Sequence, residues 1–184
     1  MAVMISMLRG VNMGPHHRIK MEDLRAVYES LGLAGVKTYI QSGNVVFRAR
    51  KFDLERLANE LENAIERKFG FHADVIVRTA EDLRTVVARN PFAGRTNIQP
   101  NKLAVTFLAA ELSDEQREQL RKLCEGVDEE LHADGRQLYI YFPNGMARPK
   151  LPLGQIDRLI RTASTSRNWN TVTKLLAMAE ELER

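Results

Sequence analysis

The chain has 184 residues, 44% of them hydrophobic and 28% charged, a balance that excludes a disordered polymer. A chain of this size buries roughly 70% of the surface its unfolded form exposes, so it can hold a full core without staples. Net charge is +3 and the sequence pI about 9.1, with cations and anions mixed along most helical segments. That balance allows an anionic partner but lacks the basic stripe of a dedicated duplex-DNA binder.

No stretch approaches the roughly 20 apolar residues of a membrane span, so no membrane partner is expected. Met1 to Leu8 is apolar but short and ends at Arg9, unlike a signal peptide, which puts charge first and a longer apolar run after it. The one cysteine, Cys124, falls beside Leu120, Leu123 and Val127 in a helical pattern and reads as a small core hydrophobe. A single cysteine forms no internal disulfide, and a reducing cytoplasm is the expected compartment.

In chain order, residues 2–8 read as a buried strand, followed by a polar loop over 10–18. From Lys20 the period turns helical, with Met21, Leu24, Val27, Tyr28 and Leu31 on one face and Gly32 as its stop. Strands are expected at 36–41 and 44–49, joined by a tight hairpin through Ser42, Gly43 and Asn44. Asp53 reads as the N-cap of a helix that ends at Gly70, and 73–78 as a strand. The order β-α-β-β-α-β is the split βαβ, ferredoxin-like arrangement.

Thr79 and Asp82 have capping-box spacing, and the helix they open breaks at Asn90-Pro91. Residues 90–101 look like a joint between halves. A strand over 102–109 follows, then a helix opened by the Ser113/Gln116 capping box, strands at 128–133 and 137–142 around Asp134-Gly135, a helix over 152–160 and an extended piece at 162–165. The same element order thus occurs twice. A last helix, 168–182, places Trp169, Val172, Leu176, Ala179 and Leu182 on its buried face. The expected fold is α+β: two tandem ferredoxin-like (βαββαβ) subdomains with an added C-terminal helix. Residues 1–78 form the first, 79–101 a connecting helix and loop, and 102–184 the second, packed as one compact unit.

In a split βαβ unit the loop after the first strand and the hairpin between the second and third share one end of the sheet. Arg9, Gly10, Asn12 and Gly14 are therefore expected beside Gln41, Ser42, Gly43 and Asn44. Glycines let backbone N–H groups approach a ligand, Asn and Gln both donate and accept, and Arg9 offers a fork suited to phosphate or carboxylate. Turn construction explains the same residue types equally well. A second candidate is the polar run into the last helix, where Arg167, Asn168 and Asn170 stand at a helix start that favours an anion, or caps it.

Other signals are weak. The Gly10–Gly14 segment is neither a dinucleotide fingerprint nor a phosphate loop with its lysine, so no cofactor is expected. His16 and His17 are adjacent, point apart and lack a matching ligand cluster, so no metal is expected. The carboxylates lie on solvated helical faces and mark no catalytic pair.

Four runs carry a family resemblance: Leu8 to Gly14, Ile19 to Met21 with Leu24-Arg25, Thr38 to Phe47, and Arg167 to Val172 with Lys174-Leu175. With these, the chain resembles the uncharacterised bacterial family named domain of unknown function 1697 over nearly its whole length. Pro15-His16-His17 departs from the small glycine- or lysine-bearing loop of that family. The resemblance implies two ferredoxin-like subdomains and brings no activity.

The leading functional expectation is binding of an anionic ligand, a phosphorylated small molecule or a nucleic-acid segment, at polar loops between the two halves. An enzyme of unidentified reaction using the same cleft and a structural or oligomeric interaction protein are the alternatives. The sequence identifies neither catalytic residues nor an oligomeric state.

Overall fold

The computed structural model describes residues 1–50 and 53–184. The chain divides into two compact units, Met1–Val87 with Thr173–Arg184, and Ala88–Val172. The architecture is mixed α and β, with two four-stranded antiparallel sheets and six α-helices among the described residues.

The first unit contains β1 (Ala2–Leu8), α1 (Met21–Ser30), β2 (Ala34–Tyr39), β3 (Asn44–Ala49), α2 (Leu54–Phe69), β4 (Val75–Thr79) and α3 (Ala80–Ala88), which runs one residue past its boundary. Its strand order is β2-β3-β1-β4. As a central strand, β1 is covered on both faces and is buried from Val3 to Leu8, hence its unbroken apolar run. Local chemistry fixes α2 at both ends. The Asp53 side chain accepts from the Arg56 N–H, and Gly70 takes the left-handed conformation, φ 78°, that glycine adopts at no steric cost. Leu24, Tyr28, Phe47, Leu57, Leu61 and Ile65 fill the layer between helices and sheet. Each fully buried Leu, Ile or Phe contributes about 1.5–3 kcal/mol.

The second unit contains a 3-10 turn (Pro100–Lys102), β5 (Leu103–Leu108), α4 (Asp114–Leu123), β6 (Glu130–Asp134), β7 (Gln137–Tyr141), α5 (Leu153–Ile160) and β8 (Ser164–Asn168). Its strand order, β6-β7-β5-β8, repeats the first. Ser113 and Gln116 make the capping box of α4, and Leu108, Leu120, Leu138, Ile140, Ile156 and Ile160 pack in one core.

The last helix, α6 (Trp169–Glu183), belongs to the first unit from Thr173 onward, together with Arg184. There the Arg48 guanidinium donates to the Leu182 carbonyl, Lys37 meets Glu181 at 3.4 Å, and Arg84 pairs with Glu180 and Glu183. Gly35 (φ 63°) lets β2 pass the Leu182 side chain, since a Cβ there would lie 2.9 Å from Cδ1. No helix among the described residues is long and apolar enough to cross a membrane.

Several boundaries differ from expectation. Strand β2 lies at 34–39 rather than 36–41, because the connection to β3 is a four-residue loop, 40–43, and Asn44 already pairs with Tyr39. Strand β8 lies at 164–168 rather than 162–165, because pairing with β5 draws the polar run into the sheet, with Arg167 opposite Val105. In α6 the buried hydrophobic residues are Val172, Leu175, Ala179 and Leu182, while Leu176 and Trp169 are half-buried.

Candidate functional site

The two loops at one end of the first sheet meet. The Leu8 N–H donates to the Gly43 carbonyl at 2.9 Å, extending the β1–β3 ladder into the hairpin. Beyond it the chain turns at Gly10 (φ 69°) and at Asn12 (φ 56°). Asparagine is among the few non-glycine residues that enter this region readily. From there the Asn12 side chain works as a bracket. Its Nδ2 donates to the carbonyls of Ile19 (2.9 Å) and Gln41 (2.8 Å), and its Oδ1 accepts from the Ile19 N–H (2.9 Å). The Asn12 N–H also donates to the His17 carbonyl at 3.0 Å, which closes the loop on itself.

The hairpin side is equally determined. Gly43 (φ 75°) is buried against the loop, and a Cβ on it would lie 2.8 Å from Val11 Cγ2 and 2.9 Å from Leu8 Cβ. Asn44 is fully buried, and its Nδ2 donates to the Tyr39 carbonyl (3.0 Å) and the Ser42 Oγ (2.9 Å). Ser42, Gly43 and Asn44 therefore build the turn. Arg9, Gly10 and Gln41 are exposed, and Gly14 is half-exposed.

A shallow concavity of about 280 Å³ lies on the loop, lined by Gly10, Met13, Gly14, Pro15, His16 and His17. The N–H groups of Gly10, Met13 and Gly14 make no hydrogen bond among the described residues. Added Cβ atoms on Gly10 and Gly14 would meet nothing within 4 Å. The ring of His17 (φ 55°) stacks on Phe71, with centroids 4.4 Å apart, and so fixes the far wall. Met13 is 85% exposed. Arg18 and Lys20 are exposed just beyond, with no ion pair among the described residues.

The second candidate is built differently. Arg167 lies on β8, buried, with Nη1 donating to the Thr165 Oγ1 (2.7 Å) and the Ser166 carbonyl (2.8 Å). Burial pushes its guanidinium down to about 10. Asn168 caps α6: its Oδ1 accepts from the Asn170 N–H at 2.9 Å, and its Nδ2 donates to the Asn101 carbonyl at 3.0 Å. Asn170 is exposed in the first turn.

Sequence reasoning missed Arg78, which is buried on β4 opposite Ile5, as Arg167 is opposite Val105 on β8. Each arginine stands just before a capped helix, since Thr79 and Asp82 exchange hydrogen bonds of 2.9 and 3.0 Å at the start of α3. The signal was present in the shared pattern of strand, arginine, capping residue and helix. It also undervalued His17, which lines the concavity, and Arg18 and Lys20, which follow it in the chain and are exposed. No group of three or more His, Cys, Asp or Glu suited to a metal occurs among the described residues.

The chain is similar over nearly its whole length to a solved structure, the conserved bacterial protein SP0830 from Streptococcus pneumoniae. Identity is 21% and the TM-score 0.71, with 97% of this chain and 98% of that one covered. At that identity the likeness is one of fold. No curated protein matches the chain. The family described as a protein of unknown function, DUF1697, matches residues 1–139, three quarters of the sequence, and the chain belongs to it.

Proposed function

We propose that the chain binds a phosphorylated small molecule on the loop between β1 and α1. What supports this reading most is the Asn12 bracket, which holds a glycine-bearing loop against the hairpin while the Gly10, Met13 and Gly14 N–H groups make no hydrogen bond among the described residues. A fixed backbone with N–H groups not already bonded suits an oxyanion, because the donors need little reorganisation when it arrives. Arg9, Arg18 and Lys20, exposed on the chain that flanks the lining residues, supply positive charge, and an Arg fork matches phosphate geometry.

In this reading Arg9, Gly10, Gly14 and Gln41 face the ligand. Asn12, Ser42, Gly43 and Asn44 hold the loops in place. Arg167, Asn168 and Asn170 belong to the sheet and cap of the second unit. Each half is read as a ferredoxin-like subdomain, supported by the shared order β-α-β-β-α-β and by the repeated strand order, with α6 as the added helix.

Calorimetric titration with nucleoside monophosphates, sugar phosphates and short oligonucleotides tests the function. Saturable binding of a phosphorylated small molecule is expected, with affinity falling about tenfold in Arg9→Ala and Arg18→Ala, the loss of one charge-assisted hydrogen bond. Binding of oligonucleotides alone would transfer the site to nucleic acid. Affinity indifferent to both substitutions would remove it from this loop.

A further inference from the structure

A second concavity, unrelated to the loop site, lies on the outer face of the second unit between α4 and α5. It encloses about 420 Å³, within the range of small-molecule sites. Its apolar part is Leu123 and Leu159, both half-buried and packed against the core below. Around them stand Lys122 from α4, Arg158 from α5, and Arg161 just past the end of α5, all exposed. The remaining lining is the amides of Gln119 and Gln155, and no carboxylate lines it.

The charges are differently placed from those on the rest of α4. There Arg121 is held between Glu118 (2.9 Å) and Glu125 (3.1 Å). The Arg158 and Arg161 side chains have no hydrogen bond or ion pair among the described residues, and Lys122 reaches Glu118 only at 4.0 Å. Arg161 also holds φ 51°, a conformation in which glycine or asparagine would sit more easily than arginine. Gln116 contributes to fixing this end of α5 by donating from Nε2 to the Leu159 (2.8 Å) and Ile160 (3.1 Å) carbonyls. The backbone that carries Arg161 is thereby anchored to α4.

We infer that this cleft binds a small amphipathic anion, its carboxylate or phosphate head on Arg158, Arg161 and Lys122 and its apolar body on Leu123 and Leu159. Two arginine forks without acidic partners provide directional donors for an oxyanion. The leucine floor offers apolar surface that a fully hydrated anion such as inorganic phosphate would leave wet. Charge complementarity selects the anion, and the floor selects the tail.

The test uses the full chain and four probes: dodecanoate below its micelle concentration, dodecyltrimethylammonium, inorganic phosphate, and phosphatidylglycerol vesicles. Dodecanoate is expected to bind saturably, shifting the NMR methyl signals of Leu123 and Leu159, while the cationic amphiphile and phosphate alone do not. The double substitution Arg158→Ala with Arg161→Asn is expected to weaken dodecanoate about tenfold or more. Asparagine is chosen at 161 because it tolerates the positive φ, and the thermal midpoint confirms folding. Equal affinity in the double variant overturns the proposal. So do binding of the cationic amphiphile to the same methyl groups, phosphate binding as tight as dodecanoate, and association with vesicles but not with free dodecanoate. If the double variant does not fold, the wild-type methyl shifts decide: signals that move elsewhere, or not at all, overturn it.

Discussion

Asn12 donates its side-chain amide to the Gln41 carbonyl at 2.8 Å, across 29 residues of sequence, and so joins the loop after β1 to the hairpin between β2 and β3. With its two bonds to Ile19 it is the fastener of the candidate site. Asn12→Ala removes all three bonds and places alanine at φ 56°. It is expected to cost about 2–4 kcal/mol, from lost hydrogen bonds and the positive φ together. Asn12→Gly loses the bonds but keeps the conformation, and so should cost less. Urea denaturation compares the two, and amide hydrogen exchange should rise over residues 10–18 in both.

Gly43→Ala tests the closeness of the two loops. The added methyl would stand 2.8 and 2.9 Å from Val11 and Leu8 at φ 75°, so overpacking and backbone strain act together. A loss of roughly 2–4 kcal/mol is expected. Gly10→Ala, at φ 69° with nothing within 4 Å of the new carbon, has the strain alone and should cost roughly 1–2 kcal/mol. Equal midpoints for the two variants would mean the loops are not in contact.

Beneath the sheet, the Ser6 Oγ and the Tyr28 hydroxyl lie 2.7 Å apart, both fully buried. Ser6→Ala or Tyr28→Phe alone leaves a buried hydroxyl without its partner, at a cost of about 1–3 kcal/mol. The double variant removes both groups and should lose less than the two single losses added together. A double-mutant cycle by denaturation measures the coupling.

The same pair makes the protein sensitive to alkali. Burial raises the Tyr28 hydroxyl above its ordinary value of 10.0, and the Ser6 hydrogen bond only partly offsets this. The folded state therefore keeps the proton when the unfolded state releases it. That contribution to stability is complete below pH 10.0 and declines as pH rises above it. Tyr28→Phe should show a shallower fall in thermal midpoint between about pH 10 and pH 12 than the parent chain.

Local chemistry made some elements readable from sequence. Asp53 and Gly70 delimit α2 because a cap and a left-handed glycine act within one turn, and the Thr79/Asp82 and Ser113/Gln116 pairs do so for the same reason. The meeting of residues 9–14 with 41–44 was readable as topology. What the sequence left open was the role of each polar side chain within that meeting. Asn12, Ser42 and Asn44 hold neighbouring groups of the two loops, while Arg9 and Gln41 are exposed, and residue type alone does not separate the two. Strand β8 was misplaced because Ser164-Thr165-Ser166-Arg167 carries no apolar alternation, and its place is set by partner strand β5. The Leu175 face of α6 was missed because Leu175 and Leu176 both fit a helical period.

Backbone amide shifts recorded during titration with a nucleoside monophosphate or sugar phosphate test the loop site most directly. The account predicts saturable shifts concentrated at Gly10, Met13 and Gly14, with Asn44 and the buried hairpin little changed. An absence of shifts in this loop with every phosphorylated ligand, or shifts that map only to other parts of the chain, would contradict it.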